Sequence, residues 1–351
     1  MNRRRFLENV ATLATLPAAA SLASCRSGPR LNVYNWSDYV APDTVANFER
    51  ESGLRVRYGT YESNQEMLAQ VLSGNSGWDV VFPSADFIGP MRDLGLLAPL
   101  QHDLLSNLDA LGGHDAAFRS PLWDPELQWS VPYMYGATGI LYQKRLTPPP
   151  QSWSDLWNPA LQGKITMLDD ASEVFGACLK KLGYSLNSAD PQELRAAAIE
   201  GEKQKPLLRA YLNAEVRDQA VAGDVAAAQA WAVTAAQAIA AAPERLAFAY
   251  PQEGFVRFAD NIAILRESRR VDAAHRWIDY LLGPPVAASI VEATHTATCN
   301  GAAYALLPES VRADPVLYPS ADVLRRGEWL EPQSTASQRL RDRLWTQMKS
   351  S

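Results

Sequence analysis

The sequence predicts an α/β protein built in two domains. Three observations carry this. Residues 31–90 alternate strand and helix patterns in a β-α-β-α-β rhythm, which calls for a sheet covered by helices. After an export-type leader 327 residues remain, enough for two domains. A Pro-rich junction, LTPPPQSWSDLWNPALQGK, follows the strand-like Gly139–Tyr142 and marks a boundary near 140.

The first 24 residues read as a signal peptide. MNRRRFLENV sets three arginines ahead of the apolar ATLATLPAAASLA, the layout of an export signal. The arginine run before Phe6-Leu7 resembles a twin-arginine signal, and without a Ser or Thr ahead of it Sec export stays open. Leu22-Ala-Ser-Cys25 resembles a lipobox, so Cys25 is the expected lipidation site and residues 25–30 a lipid-anchored tether. Two or three acyl chains hold a protein on a membrane where one does so only marginally. The expected location is therefore the periplasm or cell envelope.

The mature chain begins with Leu31–Tyr34, alternating like a half-buried strand. Pro42–Ser52 reads as a helix stopped by Gly53, and Leu54–Tyr58 as a second strand. Ser63 and Glu66 form a capping-box pattern ahead of a helix over 63–72. Trp78–Phe82 is apolar enough for the middle of a parallel sheet, and a helix begins at Pro83-Ser84. A loop-rich, Trp-bearing stretch follows. Ile165–Leu168 reads as a strand and Asp170–Lys181 as a helix.

Residues 225–231 are alanine-rich, and propensity says helix. The preceding Gly223-Asp224 and a capping-box pattern at Thr234 and Gln237 favour a strand over 225–231 and a helix over 234–242. Ala247–Tyr250 and Ile262–Leu265 read as strands, Val271–Leu282 and Ser337–Met348 as amphipathic helices.

Composition narrows the function classes. The net charge is −6, and since the leader carries three Arg and one Glu the mature part sits near −8. That disfavours nucleic acid and tolerates cationic ligands. Cys178 and Cys299 are the cysteines left beside Cys25, with their pairing open, and four scattered histidines offer no metal-ligand spacing. No Gly-x-Ser-x-Gly elbow occurs, and Ser37-Asp38 has no His nearby in sequence. No enzyme, metal or cofactor is expected.

Several polar and aromatic residues fall where a ligand would lie. Trp36, Ser37, Asp38 and Tyr39 follow the first strand, and ligands of open α/β sheets bind outside the carboxyl ends of strands. A helix cap with two half-buried aromatics is the plainer reading. Ser84, with Asp86 two residues on, reads equally as a helix N-cap, and Asp170 with Glu173 as a capping box.

The order of motifs resembles the bacterial polyamine-binding proteins of ABC importers. The likeness rests on Tyr34-Asn-Trp-Ser-Asp-Tyr39, Gly77-Trp-Asp-Val-Val-Phe-Pro-Ser84, Val131-Pro-Tyr-Met-Tyr-Gly136, Leu168-Asp-Asp-Ala-Ser-Glu-Val-Phe175 and Tyr250-Pro-Gln-Glu-Gly254 through Asp260. It implies a two-lobed periplasmic-binding-protein fold of type II, each lobe a mixed sheet flanked by helices, with the ligand between the lobes. The first lobe would comprise 31–138 plus about 258–298, the second 139–257 plus about 299–351.

It also implies site roles. Asp38, Glu173 and Asp260 would pair with ammonium groups, while Trp36, Tyr39, Trp231 and Phe258 would flank the methylenes. Ser37 and Ser84 would contribute hydroxyls. Two positions depart from the pattern, with Thr234 where putrescine receptors have an aspartate and Thr296 near the place of a tyrosine. The implied partners are a polyamine, putrescine or spermidine, and ABC permease subunits, with the receptor itself a monomer. Another amine-bearing solute, such as an amino acid or opine, and a lipoprotein without a transport role are the alternatives.

Overall fold

The computed structural model describes residues 30–351, so the leader and Cys25 lie outside the described residues. The chain opens β1 (Arg30–Trp36), α1 (Thr44–Ser52), β2 (Arg55–Tyr61), α2 (Asn64–Val71), β3 (Val80–Val81) and α3 (Ala85–Asp93). This is the predicted rhythm. Ser63 caps α2 by accepting from the Glu66 amide at 3.1 Å. The reciprocal half of the expected box is absent, because the Glu66 carboxylate takes the Glu62 amide instead.

Short 3₁₀ turns lead to β4 (Val131–Gln143), a 13-residue strand of which only Gly139–Tyr142 was expected. Nearly all of it is buried, on both faces, so no polar alternation marks its first half. Then follow β5 (Ile165–Met167), α4 (Ala171–Lys181), α5 (Pro191–Gln204), β6 (Leu208–Tyr211), α6 (Val216–Ala222), β7 (Ala227–Trp231), α7 (Ala232–Ala241) and β8 (Leu246–Ala249). The alanine-rich strand is real. Ala227–Ala230 are buried between β4 and β5, where small side chains let helices pack closely. The predicted capping box at Thr234 does not form. The helix starts at Ala232 with Trp231 at its N-cap, and Gln237 donates to the Thr294 carbonyl instead.

The chain closes with β9 (Phe255–Ile264), α8 (Val271–Leu282), α9 (Pro284–Thr294), β10 (Ala297–Thr298), α10 (Gly301–Leu306), two helical turns, β11 (Gly327–Trp329) and the C-terminal helix Thr335–Ser350. The turn into β9 depends on Gly254, at φ 109°, where a Cβ would lie 2.5 Å from the Arg326 carbonyl oxygen.

Among the described residues one curled sheet runs β2-β1-β3-β9-β4-β7-β5-β6, with β8 and β10 added to β4 and β11 to β9. Its two halves are the two lobes, and β4 and β9 pair antiparallel where they meet. β4 continues from β9 and β10 in the first lobe to β7 and β8 in the second. Each lobe has its own apolar cores. Leu31, Val33, Phe48, Ile262 and Trp277 anchor the first lobe; Trp153, Ile165, Phe175 and Leu194 anchor the second.

The C-terminal helix packs Leu340, Leu344 and Met348 into the core that holds Trp153, Ile165 and Phe175. The return to the second lobe comes later than residue 299, however. Cys299 and Leu317 belong to the main core of the first lobe, and Ala303 and Leu307 pack on α9. Cys178 and Cys299 are both free thiols, buried in different cores. No helix among the described residues is long and apolar enough to cross a membrane.

Candidate functional site

A cleft between the lobes is walled by the carboxyl ends of β1, β3 and β7, the starts of α3, α4 and α7, and the crossing strand β9. Its empty volume, including the open mouth, is about 940 Å³.

Asp260 is the best-held acid. It sits in β9, 3 % exposed, and accepts from Ser84 Oγ at 2.6 Å and Tyr39 Oη at 2.7 Å. The topology makes this meeting possible: β9 lies beside β3, and Ser84 forms a bridge with Asp260 just past β3. Ser84 is at the N-cap of α3, yet its hydroxyl turns to the cleft and caps nothing. It also accepts from Asn64 Nδ2 at 2.9 Å. Burial pushes the Asp260 carboxyl up to about 6, against the two hydroxyl donors, which favour the anion.

Glu173 is the matching acid of the second lobe. Asp170 caps α4 by accepting from the Ser172 and Glu173 amides. The Glu173 carboxylate does not complete that box but turns into the cleft. Its Oε1 accepts from Thr138 Oγ1 at 2.9 Å and from Trp231 Nε1 at 3.0 Å. Its Oε2 is buried and has no hydrogen-bond partner. Burial, with the neighbouring Asp170 charge, pushes Glu173 up to about 8.

The segment Trp36-Ser37-Asp38-Tyr39 lines the other wall. The Trp36 indole donates to the Phe82 carbonyl at 2.8 Å, which fixes the ring over the end of β3. Ser37 Oγ donates to Glu62 at 2.5 Å. Asp38 takes a left-handed turn at φ 55°, which Asp tolerates better than most residues. It is exposed at the mouth and reaches Arg217 of the second lobe at 3.6 Å. Phe258 lies over β4 where Gly136 leaves room, since a Cβ there would come 2.6 Å from the ring's Cζ.

The cleft therefore gathers Trp36, Ser37, Asp38, Tyr39, Ser84, Glu173, Trp231, Thr234, Phe258 and Asp260. Thr296 is the exception. It is buried outside the cleft lining, its hydroxyl toward the Thr294 carbonyl, because α9 ends at a left-handed His295 that turns the chain away. Arg257 also stays out of the lining; it stacks on Trp329 at 4.1 Å and pairs with Asp115 at 3.6 Å.

Asp86, Asp170, Asn64, Gln237 and Leu330 also line the cleft. The sequence marks the two aspartates only as helix-start acids, and nothing local marks Leu330. Asp86 is pushed up to about 7, chiefly by burial and further by Asp170 and Asp260. Among the described residues no Lys or Arg forms an ion pair with Asp86, Asp170, Glu173 or Asp260. Four cleft acids without a paired cation, set between aromatic walls, suit a positive charge.

Comparison with known proteins agrees with this chemistry. Residues 43–318 match the family described as bacterial extracellular solute-binding protein. The chain is 33 % identical over 337 residues to the spermidine/putrescine-binding periplasmic protein of Escherichia coli K12, covering 95 % of this chain and 96 % of that one. It is 33 % identical to the putrescine-binding periplasmic protein of the same organism, covering 91 % of each. A solved structure, a putative spermidine/putrescine ABC transporter from Listeria monocytogenes, superposes with a TM-score of 0.87 at 31 % identity, over 92 % of this chain and 99 % of that chain. The two-lobed fold is that of the type II periplasmic binding proteins, and the chain belongs to the bacterial extracellular solute-binding protein family.

Proposed function

We propose that this protein captures a polyamine, putrescine or spermidine, outside the cytoplasmic membrane and delivers it to an ABC permease. The observation that carries the reading is the pairing of unpaired acids with aromatic faces in one interlobe cleft. An alkyl ammonium needs a carboxylate at its charged end, since burying an unpaired charge is costly. Its methylenes need apolar faces, and aromatic rings add cation–π attraction.

Asp260 takes one ammonium, presented by Tyr39 and Ser84. Glu173 offers its unpartnered Oε2 to another, and Asp38 guards the mouth. Trp36, Trp231 and Phe258 flank the chain between them. The lobes close about the crossing strands β4 and β9, which removes water from the ammonium–carboxylate pairs and strengthens them. The protein acts as a binding protein and catalyses no reaction. Lipidated Cys25 tethers it to the membrane, so release of ligand at the permease takes place within the tether's reach.

A thermal-shift panel tests the ligand class. Putrescine, cadaverine and spermidine should raise the melting temperature, whereas glutamate and neutral amino acids should not. Ligand at a hundred times its Kd stabilises the folded state by about 2.7 kcal/mol. A shift with the acidic or neutral solutes and none with the amines overturns the reading.

A further inference from the structure

We propose that Asp86 is a ligand-binding carboxylate of this chain, and that with Asp170 and Glu173 across the cleft it forms an acid cluster that seats one cationic end of the ligand. The inference rests on the polyamine reading and extends it by stating where the ligand's charge must lie.

Asp86 stands in the first turn of α3, where an acid is also favoured by the helix dipole. That alone would make it a helix-start residue. Glu173 supplies the independent observation. Its residue is 4 % exposed, it lines the same cleft, and its Oε2 has no hydrogen-bond partner. A buried carboxylate oxygen left open is costly unless something fills the place.

The titratable groups that act on Asp86 are the acids Asp170 and Asp260, and Glu173 lines the same cleft. Asp170 and Glu173 come from the start of α4 in the second lobe, and Asp260 from β9 in its own lobe. Each ionised member makes the next harder to ionise: Asp170 and Asp260 raise Asp86, and Asp170 and, more weakly, Asp86 raise Glu173. Farther out, Glu62 and Asp38 stand at the mouth, where Arg217 pairs with Asp38. The lining residues from the start of α7, Val233, Thr234 and Gln237, are neutral. The acid is therefore concentrated at the α3–α4 end, on both lobes.

Two consequences follow. Without ligand, like charges on the two lobes repel and hold protons that an isolated carboxyl would have lost. An ammonium seated between Asp86 and Glu173 reverses the repulsion into a bridge and expels those protons. The end of the ligand with the densest positive charge is thus directed to the α3–α4 side.

The test compares the wild-type protein with D86N, an isosteric change at a half-buried position. Titration calorimetry with putrescine and spermidine in two buffers of different ionisation enthalpy gives affinity and protons released together. D86N should bind at least about ten-fold more weakly at pH 8 and release fewer protons at pH 7. Ligand-free D86N should also melt higher than the wild type at pH 8, with the gap closing at pH 5. Unchanged affinity, proton release and melting in D86N overturn the inference while leaving the polyamine reading standing. If the wild type binds neither amine, that reading fails, and the ligand-free melting comparison still decides the acid cluster.

Discussion

The Trp231 indole donates to Glu173 Oε1 at 3.0 Å, so the aromatic wall and the acid of the second lobe are held by one another. The strand β7 ends at Trp231 and α4 starts two residues before Glu173, and the contact locks both side chains toward the cleft. W231F removes the donor and part of the aromatic face. It should weaken polyamine binding by about 1–3 kcal/mol, read by calorimetry. It should also raise the Glu173 carboxyl further, because the indole favours the anion.

Asp260 closes a network that begins at Asn64 and passes through Ser84, with Tyr39 as second donor. D260N keeps the shape and removes the charge. It should cost about 2–5 kcal/mol of polyamine binding while leaving the fold intact by circular dichroism. D260A would leave two buried hydroxyls without their acceptor, and it should lower the melting temperature as well as the affinity.

The cleft acids set a pH dependence of stability. Asp86, Glu173 and Asp260 lie near about 7, 8 and 6, above ordinary carboxyl values, because burial disfavours their charge. The folded state therefore holds more protons than the unfolded chain between ordinary carboxyl values and about pH 8. Stability falls as pH rises through that window. Ligand-free protein should melt higher at pH 5 than at pH 8, and saturating putrescine should narrow the difference.

At the mouth, Asp38 and Arg217 join the lobes across 3.6 Å, with both side chains substantially exposed. Such a pair contributes roughly 0–1 kcal/mol, so R217A should leave the melting temperature nearly unchanged. It removes a cation beside an acidic cleft and frees Asp38. The association rate for putrescine should rise at low salt, and the gain should fade as salt screens it.

Gly136 leaves the space that Phe258 occupies. G136A forces the ring aside or strains β4, at a cost of about 1–3 kcal/mol. Melting temperature and spermidine affinity should both drop, and G136A/F258A should recover part of the stability.

Much of this site could be read in the sequence because its residues sit at element ends. Trp36 to Tyr39 follow a strand, Ser84 and Glu173 begin helices, and Trp231 ends a strand. What joined them was the likeness to a family, since Tyr39 and Asp260 are 221 positions apart. Thr296, which the likeness sets near the ligand, lies outside the cleft lining, just past the left-handed His295 that ends α9. Asp86 and Asp170 hid behind a plainer role, for an acid in a helix's first turn explains itself. The first half of β4 and the stretch forming α5 and α6 gave no clear reading. Burial on both faces erased alternation in β4, and tertiary packing decides the others.

The central claim is that the acid cleft holds a polyamine. Titration calorimetry of residues 26–351 with putrescine and spermidine at pH 8 tests it most directly. The account predicts saturable one-to-one binding with proton release near neutral pH, lost in D260N. Absence of binding by either amine up to millimolar concentration would contradict it.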